Sequence, residues 1–158
     1  MKLKNILLIG SIFLFTGCST VSNYSNFNKI PADGTITVLP FKNNTNSPQA
    51  GEKAKNIMEG VLASKNRSVQ ISSANQRDNI SCNANSNAIS TRYYLSGNIN
   101  EWRYKTGIEA EPAVAINFNV IDRLNCEVVY SAVGAKNGWG QESVGSVAQK
   151  LILELTSN

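Results

Sequence analysis

No histidine occurs among the 158 residues. Its absence removes Ser-His-Asp and Cys-His catalysis and the commonest side-chain ligand for transition metals. Charge is sparse too. Charged residues make up 16% of the chain and the formal net charge is +4, too small a balance for a nucleic-acid surface. It falls to +2 once Lys2 and Lys4 are set aside. Long apolar runs are also missing. The N-terminal run, Ile6 to Phe15, is broken by Gly10 and Ser11. Ten helical residues span only ~15 Å, about half the hydrocarbon thickness of a bilayer. Behind the positive Lys2 and Lys4, this run reads as a signal-peptide core and not as a membrane-spanning helix.

The run ends in Phe15-Thr16-Gly17-Cys18, with small residues directly before a cysteine. The pattern resembles the lipobox of bacterial lipoproteins. It implies that the signal is cut before Cys18, that the thiol is diacylated and that the new amine is acylated. An ordinary secretory signal with an incidental cysteine is the competing reading. Three acyl chains would anchor the protein firmly, since each buried methylene contributes ~0.8 kcal/mol. Ser19 takes the place of the aspartate that retains lipoproteins at the inner membrane, so the resemblance implies the periplasmic face of the outer membrane. The expected organisation is a signal peptide over 1–17, a lipidated tether over 18–34 and one domain over 35–158. The tether, rich in Ser and Asn and closed by Pro and Gly, is expected to lack regular structure. Fully extended, it would reach ~50 Å.

Cys82 and Cys126 remain after Cys18 is lipidated. In an oxidising compartment an even pair suggests a disulfide; two free buried thiols are the alternative.

The rest of the chain alternates between strand and helix patterns. Thr35 to Phe41 is β-branched and apolar, a first strand. Ser47 is placed to cap a helix with Pro48 at its first position. That helix sets Ala50, Ala54, Ile57, Met58, Val61 and Leu62 on one stripe and ends near Lys65. Val69-Gln70-Ile71 is a short strand. The polar stretch 72–90 has room for a short helix over 84–90. Three strands come next, over 92–105, 113–122 and 127–135, joined as an antiparallel meander. A last helix over 143–155 carries Val144, Val147, Ala148, Leu151 and Leu155 on one stripe. The fold class is therefore α+β: a small mixed sheet of about five strands with helices packed on it. Alternate turns of a meander share one end of the sheet. Trp102, Tyr104, Glu109, Glu111 and Trp139 are thus expected on one rim.

The stretch ITVLPFKNNTNSPQAGEKAKNIMEGVL resembles the strand-loop-helix start of a group of envelope lipoproteins that includes the curli export lipoprotein. The second half is more specific. Glu101-Trp102-Arg103-Tyr104-Lys105, Gly107, Glu111-Pro112-Ala113-Val114, Gly134-Ala135 and Gly138-Trp139 resemble the PelC family, the outer-membrane lipoproteins of Pel exopolysaccharide export. Leu124-Asn125-Cys126 departs from it, since relatives tend to have a small polar-glycine turn there. The resemblance implies a ring-shaped homo-oligomer, a dodecamer, around the periplasmic end of an export porin. Its lumen would be an electronegative funnel for a cationic polysaccharide, and the tryptophan of the Gly-Trp loop would enter outer-membrane lipid.

Each candidate residue carries a competing reading. Trp139 on a glycine-flanked loop suits the bilayer interface, with Lys136 beside it to meet lipid phosphate; the alternative is an indole folded back on its own sheet. Glu109 and Glu111 are read as funnel carboxylates repeated by symmetry, or as a solvated hairpin tip. A glycosidase acid pair is a third and weak option, because two acids in one turn lack a sugar cleft. Trp102 and Tyr104 are suited to sugar stacking or to packing. A self-sufficient pore needs long amphipathic hairpins, and no such pair of alternating strands is present. No catalytic, metal or cofactor role is expected. The alternative function is a periplasmic lipoprotein regulator or adaptor that binds another envelope protein.

Overall fold

The computed structural model describes residues 19–24, 26–72, 90–104, 107 and 111–157. They form an open seven-stranded mixed sheet with two α-helices. The strands are β1 (Ser19–Tyr24), β2 (Ile36–Val38), β3 (Lys42–Asn43), β4 (Val69–Ile71), β5 (Tyr93–Arg103), β6 (Ala113–Asp122) and β7 (Glu127–Asn137). The helices are α1 (Ala50–Ser64), between β3 and β4, and α2 (Val144–Leu155), after β7. The order across the sheet is β1-β7-β6-β5-β2-β4, with β3 also paired to β5. β2 runs parallel to β4 and β5, while β5, β6, β7 and β1 are antiparallel. The α+β class and the meander expected from the sequence are both present.

Alternation decides which side of the meander is buried. Val114, Ile116, Phe118 and Val120 of β6 point into the core, as do Tyr130 and Ala132 of β7. The stripe of α2 and the stripe Ala50, Ala54, Met58, Val61, Leu62 of α1 cover that side. The Tyr130 ring packs edge-on to Phe27, with centroids 4.9 Å apart, and its hydroxyl donates to the Leu155 carbonyl at the end of α2. Burial pushes the Tyr130 phenol up to about 12.

Several details differ from the sequence reading. The stretch read as a tether is part of the domain. Its first residues form β1 on the edge of the sheet, followed by a short turn of 3-10 helix at Phe27–Lys29. Phe27 and Ile30 lie in the core. Arg67 closes this arrangement by donating to the carbonyls of Ile30 (2.5 Å) and Phe27 (3.3 Å). The sheet has seven strands, not five, because β1 and the two-residue β3 join it. Ser47 does not cap α1. Gln49 precedes the helix in the left-handed region, and the Ser47 hydroxyl bonds the Trp102 carbonyl at 2.5 Å. Gly51 lets the first turn of α1 lie directly on the backbone of Phe41: a Cβ there would lie 2.0 Å from the Phe41 oxygen. The third meander strand runs to Asn137, two residues further than the sequence suggested. The short helix expected over 84–90 lies outside the described residues. No helix among the described residues is long and apolar enough to cross a membrane.

Candidate functional site

Arg103 pairs with Ala113, and Ala113 with Asn137, so β5 ends, β6 begins and β7 ends at one edge of the domain. Tyr104, Glu111 and Trp139 therefore share that rim, as the meander required. The loop after β7 is tied down along its backbone. The Gly138 N–H donates to the Pro112 carbonyl at 2.7 Å. A Cβ at Gly138 would come within 2.6 Å of Pro112 Cγ and Val147 Cγ2, so only glycine lets the chain pass this close. The Trp139 N–H donates to Glu142 Oε2 at 2.9 Å, and the Glu142 N–H returns to the Trp139 carbonyl at 3.2 Å. Gly140 supplies the positive φ that closes the turn. Lys150 of α2 pairs with Glu142. This ammonium first, and the Trp139 amide second, hold the Glu142 carboxyl below the usual carboxylate range. On this braced loop the Trp139 side chain is 62% exposed. The backbone is fixed while the indole is presented outward.

Glu142 and Lys150 were not legible as site residues. The one hint was a carboxylate three residues beyond an exposed tryptophan, the spacing at which a side chain reaches back to a turn N–H. Lys136, read as a lipid-phosphate partner, is held by Glu154 at 2.5 Å. Ser19, next to the lipidation candidate, pairs with Lys136, three residues before Trp139. Cys18, Cys82 and Glu109 lie outside the described residues. Glu111 is half-buried at the start of the segment entering β6. Cys126 is disulfide-bonded and holds a positive φ in the turn between β6 and β7. Among the described residues, no group of three His, Cys, Asp or Glu side chains converges to hold a metal ion.

Trp102 and Tyr104 part company. A bulge between Ile99 and Glu101 shifts the alternation of β5 and turns Trp102 into the core. Tyr104 stays 41% exposed, and its hydroxyl accepts a hydrogen bond from Lys53 of α1 at 2.9 Å. That bond is the main cause that lowers the Tyr104 phenol below its ordinary value. The buried Trp102 indole N–H lies near enough to contribute, yet the two fall short of hydrogen-bond geometry.

No protein-family model matches the chain, and no curated protein does. Solved structures do. A PelC dodecamer from Paraburkholderia phytofirmans is 34% identical, with a TM-score of 0.74 over 89% of this chain and 96% of that one. A point variant of that PelC, also a dodecamer, is 33% identical, with a TM-score of 0.71 over 89% and 95%. This chain belongs to the PelC family. A lipoprotein from Neisseria meningitidis shares the fold, with a TM-score of 0.58 at 11% identity over 79% of this chain and 99% of that one. The residues that carried the resemblance to PelC converge in the fold. Glu101–Arg103, Ala113-Val114, Gly134-Ala135 and Gly138-Trp139 all sit towards one end of β5, β6 and β7. The PelC-like signature is thus a description of this rim.

Proposed function

We propose that this chain is a lipoprotein of the outer membrane, anchored through Cys18 on the periplasmic face, that assembles as a homo-oligomeric ring, a dodecamer. The ring surrounds the periplasmic mouth of an export porin, and its lumen guides a cationic polysaccharide during secretion of a biofilm matrix. The observation that carries this reading is the match to PelC dodecamers at 33–34% identity over nearly the whole of their chains. The rim supports it. An exposed Trp139 on a braced loop lies at the sheet end from which β1 starts, so a lipid on Cys18 and the indole would meet the same membrane surface. Glu109 and Glu111 are the funnel carboxylates, acting by charge and not by catalysis. Repeated by symmetry, they concentrate a cationic polymer in the lumen.

The test is export. Glu109→Gln combined with Glu111→Gln keeps side-chain shape and removes the charge. The ring should assemble normally, and secretion of the cationic polymer should fall. Normal secretion by the assembled double variant would take these residues out of the funnel.

A further inference from the structure

A groove runs along the rim between residues 45–47 and 100–104, with a volume of about 400 Å³. Its floor is the buried Trp102, and its most exposed aromatic wall is Tyr104. Amides and hydroxyls complete it: Asn46 is exposed at the lip, Thr45 and Ser47 line one side, and Asn100 the other. Asn100 is fixed in place, accepting from Asn44 at 3.1 Å and donating to Asn117 at 3.0 Å. Ser47 is fixed by its bond to the Trp102 carbonyl. The walls are therefore preset, as a binding surface requires.

Two features say what would lie there. The Tyr104 oxygen already accepts from Lys53, whose ammonium also stands 5.6 Å from the ring centroid. With that lone pair used, the phenol proton is left to donate outward. The charges do not favour a cation. Glu101 is paired with Arg103 at 3.3 Å, and Lys53 adds a further positive charge beside Tyr104. An exposed ring, a phenol donor and neutral amides beside self-neutralised charges suit a flat, hydroxyl-bearing and uncharged ligand.

We propose that this groove is a subsite for an uncharged, hydroxyl-bearing sugar unit of the exported polymer, stacked on Tyr104 and hydrogen-bonded by the phenol and by Asn46. It rests on the polysaccharide-guiding reading above and adds to it a division of labour. Carboxylates gather the charged units, and the Tyr104 groove touches the neutral ones. Open on one side, the groove would hold a unit weakly, which a conduit needs if the chain is to move on.

The experiment is saturation-transfer NMR on the full-length lipoprotein in detergent, with light scattering on the same sample. The probes are an N-acetylglucosamine tetramer and its de-N-acetylated counterpart. The acetylated tetramer should receive saturation, and Tyr104→Ala should weaken its binding about tenfold. Circular dichroism should be unchanged, since the side chain is already 41% exposed. Tyr104→Phe, which keeps the ring, should retain part of the binding. The de-N-acetylated tetramer should bind more weakly. No transfer to either sugar, equal binding by Tyr104→Ala, or preference for the cationic tetramer would overturn the subsite. The two readings fail separately: a monomer that binds the acetylated sugar removes the ring and keeps the groove, whereas a ring without transfer does the reverse.

Discussion

Two buried positions, Gly51 and Tyr130, give direct tests of how the domain is packed. Gly51 lets α1 lie against the backbone of Phe41, where an added methyl would sit 2.0 Å from a carbonyl oxygen that cannot move without displacing β3. Gly51→Ala should destabilise by about 1–3 kcal/mol or more through overpacking, read as a lowered denaturant midpoint at unchanged slope. Tyr130 gives a pH signature. Its folded value is raised from 10.0 to about 12 by burial, so the neutral phenol is the form the fold stabilises. Its contribution is complete below pH 10 and is lost as pH rises towards 12. Wild type should lose up to ~1.4 kcal/mol per pH unit in that window more than Tyr130→Phe, whose curve lacks this term. Parallel curves for the two proteins would show that Tyr130 ionises with no cost to the fold.

Elements show where the sequence was readable and where it was not. β6 was plain because every second residue from Val114 to Val120 is apolar and nothing interrupts the count. β5 was readable only as far as Ile99. A bulge inserts one residue there, and a period of two cannot reveal it, so the sequence left Trp102 open between sugar stacking and packing; the structure packs it in the core at the rim end of β5. β1 was missed because its Ser and Asn composition is that of a linker, while its stability comes from partners far along the chain. Arg67 clasps the segment after β1 from 37 residues away. Arg67→Ala should loosen that clasp, speeding amide exchange in β1 many-fold while β6 remains protected. Equal protection in both would mean that β1 holds to β7 without it. In the rim, Trp139 stood out as an apolar residue between two glycines, but its brace comes from α2 through Lys150 and Glu142. Trp139→Ala should leave thermal stability unchanged and weaken docking to bilayers. In a Trp102→Phe background, bilayers should blue-shift the Trp139 emission. Emission that is already blue without lipid, with a destabilised Ala variant, would reject membrane contact for this loop.

At the scale of the molecule, the lipid anchor and the rim act together only if they face the same way. β1 makes that arrangement short and stiff. With β1 paired to β7, β1 starts beside the Trp139 loop, so a lipid on Cys18 would hold the rim close to the membrane in place of a stand-off of ~50 Å. Cys18→Ala should leave an unprocessed precursor and abolish outer-membrane fractionation; a normally processed variant that still fractionates with the outer membrane would refute the lipobox. A ring would bring the Trp139 loop of every copy to one plane and would multiply a weak contact into a firm one. The central claim is that ring. Its most direct test is the mass of the full-length, processed lipoprotein in detergent, measured by light scattering with the detergent contribution subtracted and followed by negative-stain imaging. The account predicts one species about twelve times the mass of a single chain, seen as closed rings. A monomer at micromolar concentration, with no rings at any concentration imaged, would contradict it and leave the adaptor reading in its place.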